Sequence, residues 1–138
     1  MDVASAKMFQ IVMLTHKHEG ISKNMPGIIT DLQPYQAEAS FWIKKFSDLD
    51  IAVPFNFLRE ANEKEKQAYL SFFVESGDIV FAILVSYEND LKDMLKTVLL
   101  ERNISSEMLA KNPRLALLRK GCGGVSQFVR SLTRKKSC

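Results

Sequence analysis

The sequence predicts an all-α fold, a compact bundle of about five to seven helices around one long central helix. Three observations support this class. Apolar residues recur at helical spacing, capping residues precede several of these stretches, and glycine or proline stands near their ends. An α+β fold stays open as the alternative, because the apolar run at 8–15 could form a strand that pairs with 79–86.

The first third of the chain predicts two helices separated by turns. The first covers 4–14 and stops at Gly20, and residues 20–33 are expected to be irregular because asparagine, proline and glycine there favour turns. Pro34 suits the first position of the second helix. The expected apolar face of that helix comprises Tyr35, Ala39, Trp42 and Phe46. A break follows at 48–54, which ends in a proline.

Two consecutive helices form the centre of the expected bundle. Asn62 and Glu65 have the spacing of a capping box, so a helix begins there and runs to Gly77, a natural left-handed stop. Asp78 can then cap the long central helix, at about 79–101. This segment keeps one apolar stripe over about six turns, which is typical of a helix that lies against the core.

The C-terminal quarter differs from the rest of the chain in its charge. All 16 acidic residues lie at or before Glu107, together with 11 of the 19 basic ones, so residues 1–107 carry about −5. Residues 108–138 carry about +8. The eight basic residues of that part are Lys111, Arg114, Arg119, Lys120, Arg130, Arg134, Lys135 and Lys136.

The basic part is itself expected to fold. Ser105 can cap a short helix, and Asn112 with Pro113 can start a second one. A glycine-rich joint at 121–124 follows, and the apolar spacing over 125–132 predicts a last amphipathic helix. The charge is therefore expected on a folded surface rather than on a loose tether.

The domain organisation expected from length and composition is simple. Residues 1–134 form a single helical domain with a basic subregion at 108–134, and 135–138 form a frayed basic tail. The two cysteines, Cys122 and Cys138, are too few for a disulfide framework and are expected to be reduced. With neither a signal peptide nor a transmembrane segment in the pattern, the expected location is intracellular, cytoplasmic or nuclear.

The first functional hypothesis is a non-enzymatic helical module that binds nucleic acid, RNA slightly favoured, through its phosphates. Clustered cations attract phosphate backbones without reading sequence. No cofactor and no metal site is expected, since His16 and His18 are too few to ligate zinc and no catalytic cluster stands out. The binding residues expected are Arg114, Arg119, Lys120, Arg130, Arg134, Lys135 and Lys136.

The second hypothesis is a protein-interaction or homo-oligomeric adaptor. In that case an aromatic patch that includes Phe55 and Phe57 supplies the contact. The basic end would then dock an acidic protein or a membrane surface, or the acidic body of a neighbouring copy. The sequence leaves both hypotheses open.

Overall fold

The computed structural model describes residues 1, 3–44, 47–121 and 123–133, and the side chains of all of these except 3 and 42–49. Within these ranges the chain is mixed α/β, with a five-stranded antiparallel sheet and six α-helices. The predicted all-α bundle is therefore wrong. The chain divides into two compact units, a sheet unit at Met1–Tyr69 and a helical unit at Leu70–Cys138.

The sheet unit is a meander whose last strand returns to the first. A 3₁₀ turn at Val3–Ser5 precedes the sheet, and a second one at Phe55–Phe57 joins the fourth strand to the fifth. The strand order is β4-β3-β2-β1-β5, and every described pairing is antiparallel. The strands are β1 Ile11–Leu14, β2 Pro26–Leu32, β3 Gln36–Lys44, β4 Ser47–Pro54 and β5 Leu58–Glu60.

The centre of this sheet corrects the helix expected from Pro34 onward. Ala37, Ala39 and Phe41 are fully buried in β3, whereas Glu38 and Ser40 between them are only half-buried. This is the period of two that a strand imposes. The alanines and Phe41 pack in one apolar cluster with residues of β1, β2 and β4, so pairing on both sides outweighs the helical spacing of the same segment.

Of the two strands proposed in the α+β alternative, the N-terminal one is present. Residues Ile11–Leu14 form β1, so the helix expected over 4–14 is wrong, and β2 occupies a segment expected to be irregular. All four residues of β1 are buried, because the strand lies between β2 and β5. The other proposed strand, 79–86, is wrong because it lies within an α-helix.

A capping box starts the first α-helix, α1 Glu63–Glu75, as expected. The side-chain oxygen of Asn62 accepts from the backbone N–H of Glu65 (2.8 Å), and the Asn62 N–H donates to the Glu65 carboxylate (2.9 Å). The guanidinium of Arg59 donates to both carboxylate oxygens at 2.7 and 2.6 Å. These bonds, with that from Arg59 the stronger, lower the pKa of Glu65 to about 2.

The division between the units falls within α1, and the helical unit holds the rest of that helix and the five that follow. Gly77 ends the α1 segment in the left-handed region (φ 83°), and Asp78 caps the next helix through the N–H of Phe81 (3.1 Å). These two predictions are confirmed. The five helices are α2 Ile79–Glu88, α3 Lys92–Glu101, α4 Ser106–Ala110, α5 Pro113–Arg119 and α6 Gly124–Thr133.

The expected central helix at 79–101 is in fact two helices. Asn89 ends α2, its side chain donating to the carbonyl of Val85 (2.9 Å), and Asp90 adopts a left-handed backbone (φ 55°). Asparagine and aspartate tolerate this conformation better than most residues do. Leu91 is then buried at the start of α3, so both helices present apolar residues to the interior although the chain turns between them.

The described ranges contain no helix that is long and apolar enough to cross a bilayer. The boundaries of the single domain expected at 1–134 stay a prediction, although its all-helical character is corrected above. The tail expected at 135–138 lies outside the described residues.

Candidate nucleic-acid interface

The basic segment forms three short helices, as the sequence predicts. Ser105 caps α4 by accepting from the N–H of Met108 (3.2 Å), and Asn112 caps α5 by accepting from the N–H of Arg114 (3.0 Å). Leu115, Leu109 and Leu132 are buried and tie α5, α4 and α6 to the interior of the helical unit. The cations between them are therefore carried on folded helices.

Four of the seven predicted binding residues lie within the described part of the chain. Arg114, Lys120 and Arg130 are exposed, and Arg119 is half-buried at the end of α5. Lys111, which precedes α5, is also exposed. The other three, Arg134, Lys135 and Lys136, lie outside the described residues, as do Cys122 and Cys138.

Arg130 has a structural task that the sequence pattern did not reveal. Its Nη1 donates to the carbonyl oxygens of Arg119 (2.6 Å) and Gly121 (2.9 Å). These carbonyls lie at the C-terminal end of α5, where a positive charge offsets the partial negative charge of the helix. Arg130 therefore caps α5 from its position on α6.

Arg119 is held in place as well. Its Nη1 lies 3.4 Å from the hydroxyl of Thr133, which is buried and itself donates to the carbonyl of Val129 (3.1 Å). Arg119 and Arg130 thus lie close together at the contact of α5 with α6, with part of each guanidinium engaged within the unit. Lys120 follows directly and is exposed.

The cations of the basic segment have no acidic partners among the described residues. The ion pairs found there involve Arg59 with Glu65, Lys66 with Glu60 and Glu63, and Arg102 with Glu75, all before residue 108. Arg114 is also in the first turn of α5, where no acid stands and the helix dipole disfavours a cation.

Two hydroxyl groups lie against glycines at and just before the start of α6. The Ser126 hydroxyl lies where a side chain on Gly121 would stand, and the Tyr87 hydroxyl occupies the corresponding place at Gly124. Ser126 is only 7% exposed, and the Tyr87 ring meets that of Phe128 edge-on (centroids 5.8 Å apart). The sequence pattern placed Tyr87 only on an apolar stripe, although its polar tip marks it as a residue that can reach a surface.

The predicted aromatic patch offers little free surface. Phe55 is 8% exposed and belongs to the apolar cluster of the sheet unit. The Phe57 ring is stacked against His16 (centroids 4.7 Å apart) and meets His18 edge-on (5.5 Å). These histidines follow β1 rather than a helix, and the Nε2 of His18 lies 2.9 Å from the carbonyl oxygen of Ala52. The use of Phe55 and Phe57 by a partner stays a prediction.

An open cleft of about 280 Å³ lies in the helical unit, among α3, α4 and α6. Leucines form much of its lining, with serine hydroxyls and Lys96 at its border. Leu100 on its wall is 75% exposed. The described residues include no cluster of three or more His, Cys, Asp or Glu that could hold a metal ion.

Comparisons with protein-family models, with curated proteins and with solved structures found no match to this chain. The geometry and the charges of the described residues are therefore the basis on which a function is inferred.

Proposed function

We propose that the helical unit binds nucleic acid through the phosphate backbone, with RNA slightly favoured. The observation that carries this proposal is the group of exposed cations after Glu107 that have no acidic partner among the described residues. Such a surface gains free energy from any polyanion by releasing the counterions that the polyanion holds.

The arrangement supports backbone contact rather than the reading of bases. Single-stranded bases are usually held on exposed aromatic rings. Phe128 is half-buried on α6 and its ring packs against Tyr87, so it is not a fully exposed ring of the kind that holds bases. Binding is therefore expected to depend strongly on salt and little on sequence.

Fluorescence anisotropy with a labelled single-stranded RNA tests the proposal. The informative variant combines Arg114→Gln and Lys120→Gln, since both side chains are exposed and no hydrogen bond from either side chain is described. Each lost phosphate contact should reduce the slope of log K against log salt by about one and weaken binding at low salt. The matched control combines Lys64→Gln and Lys96→Gln, two exposed lysines outside the basic segment.

The two double variants remove the same formal charge, so a general effect of net charge is excluded. The proposal requires that only the Arg114 and Lys120 variant loses affinity. Equal loss in both variants, or no binding by the wild-type chain at low salt, would overturn it.

A second candidate function is contact with another protein through the helical unit. The observation that favours it is apolar exposure: Leu100 is 75% and Leu117 is 73% exposed. Leu100 also lines the leucine-rich cleft of the helical unit, and a contiguous apolar surface of this kind, unlike a single exposed leucine, marks an interaction site. Light scattering at low and high salt without nucleic acid tests the homo-oligomeric version, because apolar association persists at high salt whereas docking of basic on acidic surfaces does not.

A further inference from the structure

The start of α6 presents backbone donors to the basic surface. The first intrahelical bond runs from the N–H of Gln127 to the carbonyl of Gly123. The N–H groups of Gly124, Val125 and Ser126 precede it and have no acceptor within the helix. Because α6 is ten residues long, its dipole adds a partial positive charge at this end.

A buried hydroxyl gives this helix end a feature that an ordinary one lacks. Ser126 is 7% exposed, and no hydrogen bond of its Oγ is described within residues 1, 3–44, 47–121 and 123–133. A polar group buried without a partner costs free energy, so such groups are normally satisfied. The Oγ lies against Gly121, just before the helix, and an acceptor bound at the helix start would satisfy it.

A second hydroxyl reaches the same helix end from α2. The Tyr87 hydroxyl lies against Gly124 because that residue has no side chain, and the edge-on contact with Phe128 holds the ring there. No hydrogen bond to this hydroxyl is described within the resolved ranges of the chain. Two hydroxyl donors therefore lie against two glycines that border the first turn of α6.

The charges beside this helix end favour an anion. Lys120 precedes Gly121 directly and is exposed, and the guanidinium of Arg130 contacts the carbonyl of Gly121 at 2.9 Å. The guanidinium of Arg119 lies instead beside Thr133, at the other end of α6. The segment from 108 onward contains no acidic residue. A tetrahedral anion with several acceptor oxygens can use backbone, hydroxyl and guanidinium donors together, whereas a carboxylate has only two oxygens to share among them.

We propose that the first turn of α6, with the hydroxyls of Ser126 and Tyr87 and the guanidinium of Arg130, is a binding site for a single phosphate group. This inference rests on the proposed function, for which it supplies one fixed contact among the diffuse ones. The phosphate can be an internal diester or a terminal monoester of the nucleic acid. A monoester carries more negative charge and a further free oxygen.

Titration of the full chain with inorganic phosphate, followed by ¹⁵N chemical shifts and by calorimetry at constant ionic strength, tests the site directly. We expect the amide signals of Gly124, Val125 and Ser126 to shift with phosphate but not with chloride. Ser126→Ala and Tyr87→Phe should each weaken phosphate binding about tenfold, the usual effect of losing a hydrogen bond to a charged group. Ser131→Ala is the matched control, since its hydroxyl donates to the Phe128 carbonyl within α6.

RNA binding is measured in parallel with oligonucleotides that carry a 5′-phosphate or a 5′-hydroxyl. A preference for the 5′-phosphate that is lost in Ser126→Ala identifies a terminal monoester, and an equal loss of affinity for both identifies an internal diester. If RNA binds but neither hydroxyl variant changes RNA or phosphate binding, the phosphate site is wrong while the proposed function stands. If phosphate shifts the α6 amides but RNA does not bind, the proposed function is wrong and the site remains.

The use of two variants also distinguishes a loss of phosphate binding from a loss of folding. Tyr87 is 36% exposed and its phenylalanine variant keeps the ring contact with Phe128. A loss of phosphate binding in Tyr87→Phe with an unchanged melting temperature therefore supports the site even where Ser126→Ala is destabilised. Phosphate shifts no larger than those caused by chloride in the wild-type chain would overturn the proposal.

Discussion

The Nη1 of Arg130 donates to the carbonyl oxygen of Arg119 at 2.6 Å, so one arginine of the basic surface caps the helix that carries another. The same nitrogen bonds the carbonyl of Gly121 at 2.9 Å. An alanine at Arg130 would therefore remove a charge and a helix cap at once. Arg114 and Lys120, for which no such side-chain bonds are described, give the cleaner test of nucleic-acid binding.

Arg130→Gln is expected to lower the free energy of unfolding by about 1 kcal/mol, because the cap loses its charge and part of its donor geometry. Arg130→Lys should recover part of this loss, since it keeps the charge at the end of α5. Chemical denaturation followed by circular dichroism measures both. Equal stability of the glutamine variant and the wild type would show that this contact does not stabilise the chain.

The low pKa of Glu65 predicts how the stability of the folded chain depends on pH in acid. Its pKa is lowered to about 2 in the folded chain, chiefly by the Arg59 guanidinium and then by the Asn62 N–H. Because the folded pKa lies below the unfolded one, the ionised carboxylate of Glu65 stabilises the folded chain. This stabilisation is complete above about pH 4.5 and is lost as the pH falls toward 2. Denaturation curves between pH 5 and about 2 should show that the free energy of unfolding falls more steeply with pH in the wild type than in Glu65→Gln.

The glutamine at position 65 keeps a capping side chain but not the ion pair with Arg59, so at neutral pH it should cost about 0.5–1 kcal/mol. Glu63→Gln is the control, because its carboxylate is 79% exposed and lies 3.8 Å from Lys66. A glutamine variant at 65 that loses stability in acid as steeply as the wild type would contradict this account.

The close packing of β2 on β3 predicts a large effect of one methyl group. A Cβ at Gly27 would lie 2.7 Å from two ring carbons of Phe41 and 2.9 Å from the carbonyl oxygen of Ser40. Phe41 is fully buried and cannot move freely. Gly27→Ala is therefore expected to cost about 1–3 kcal/mol in unfolding free energy, whereas Gly123→Ala, where a Cβ meets nothing within 4 Å, should cost much less.

The sequence pattern does not indicate the sheet, because one segment fits two periodicities. Residues 35–46 match a helical spacing through Tyr35, Ala39, Trp42 and Phe46, but they also match a strand through Ala37, Ala39 and Phe41. Small alanines weaken the period-two signal, and only the long-range pairing with β2 and β4 decides between the two patterns. A single sequence does not contain that information.

Local signals were more informative where they act through one or two turns. The Asn62 and Glu65 capping box, the stop at Gly77 and the caps at Asp78, Ser105 and Asn112 all lie where the sequence predicts them. The break at Asp90 was missed because the apolar stripe continues on both sides of it. For the site, the cations could be read directly, but the cap formed by Arg130 and the position of Tyr87 depend on tertiary packing.

The exposed leucines of the helical unit give a last prediction. Leu100→Ser and Leu117→Ser should change the free energy of unfolding by no more than about 0.5 kcal/mol, since both side chains are about three-quarters exposed. Leu115→Ser, at a fully buried position on the same helix as Leu117, should cost several kcal/mol and serves as the contrast.

If either exposed leucine lies in an interface with a second copy, its serine variant shifts the molar mass measured by light scattering toward that of the monomer. An unchanged mass in both variants would exclude these residues from such an interface. Because apolar contacts persist when charges are screened, the shift should be visible at high salt, where the binding of nucleic acid by the basic surface is already weak.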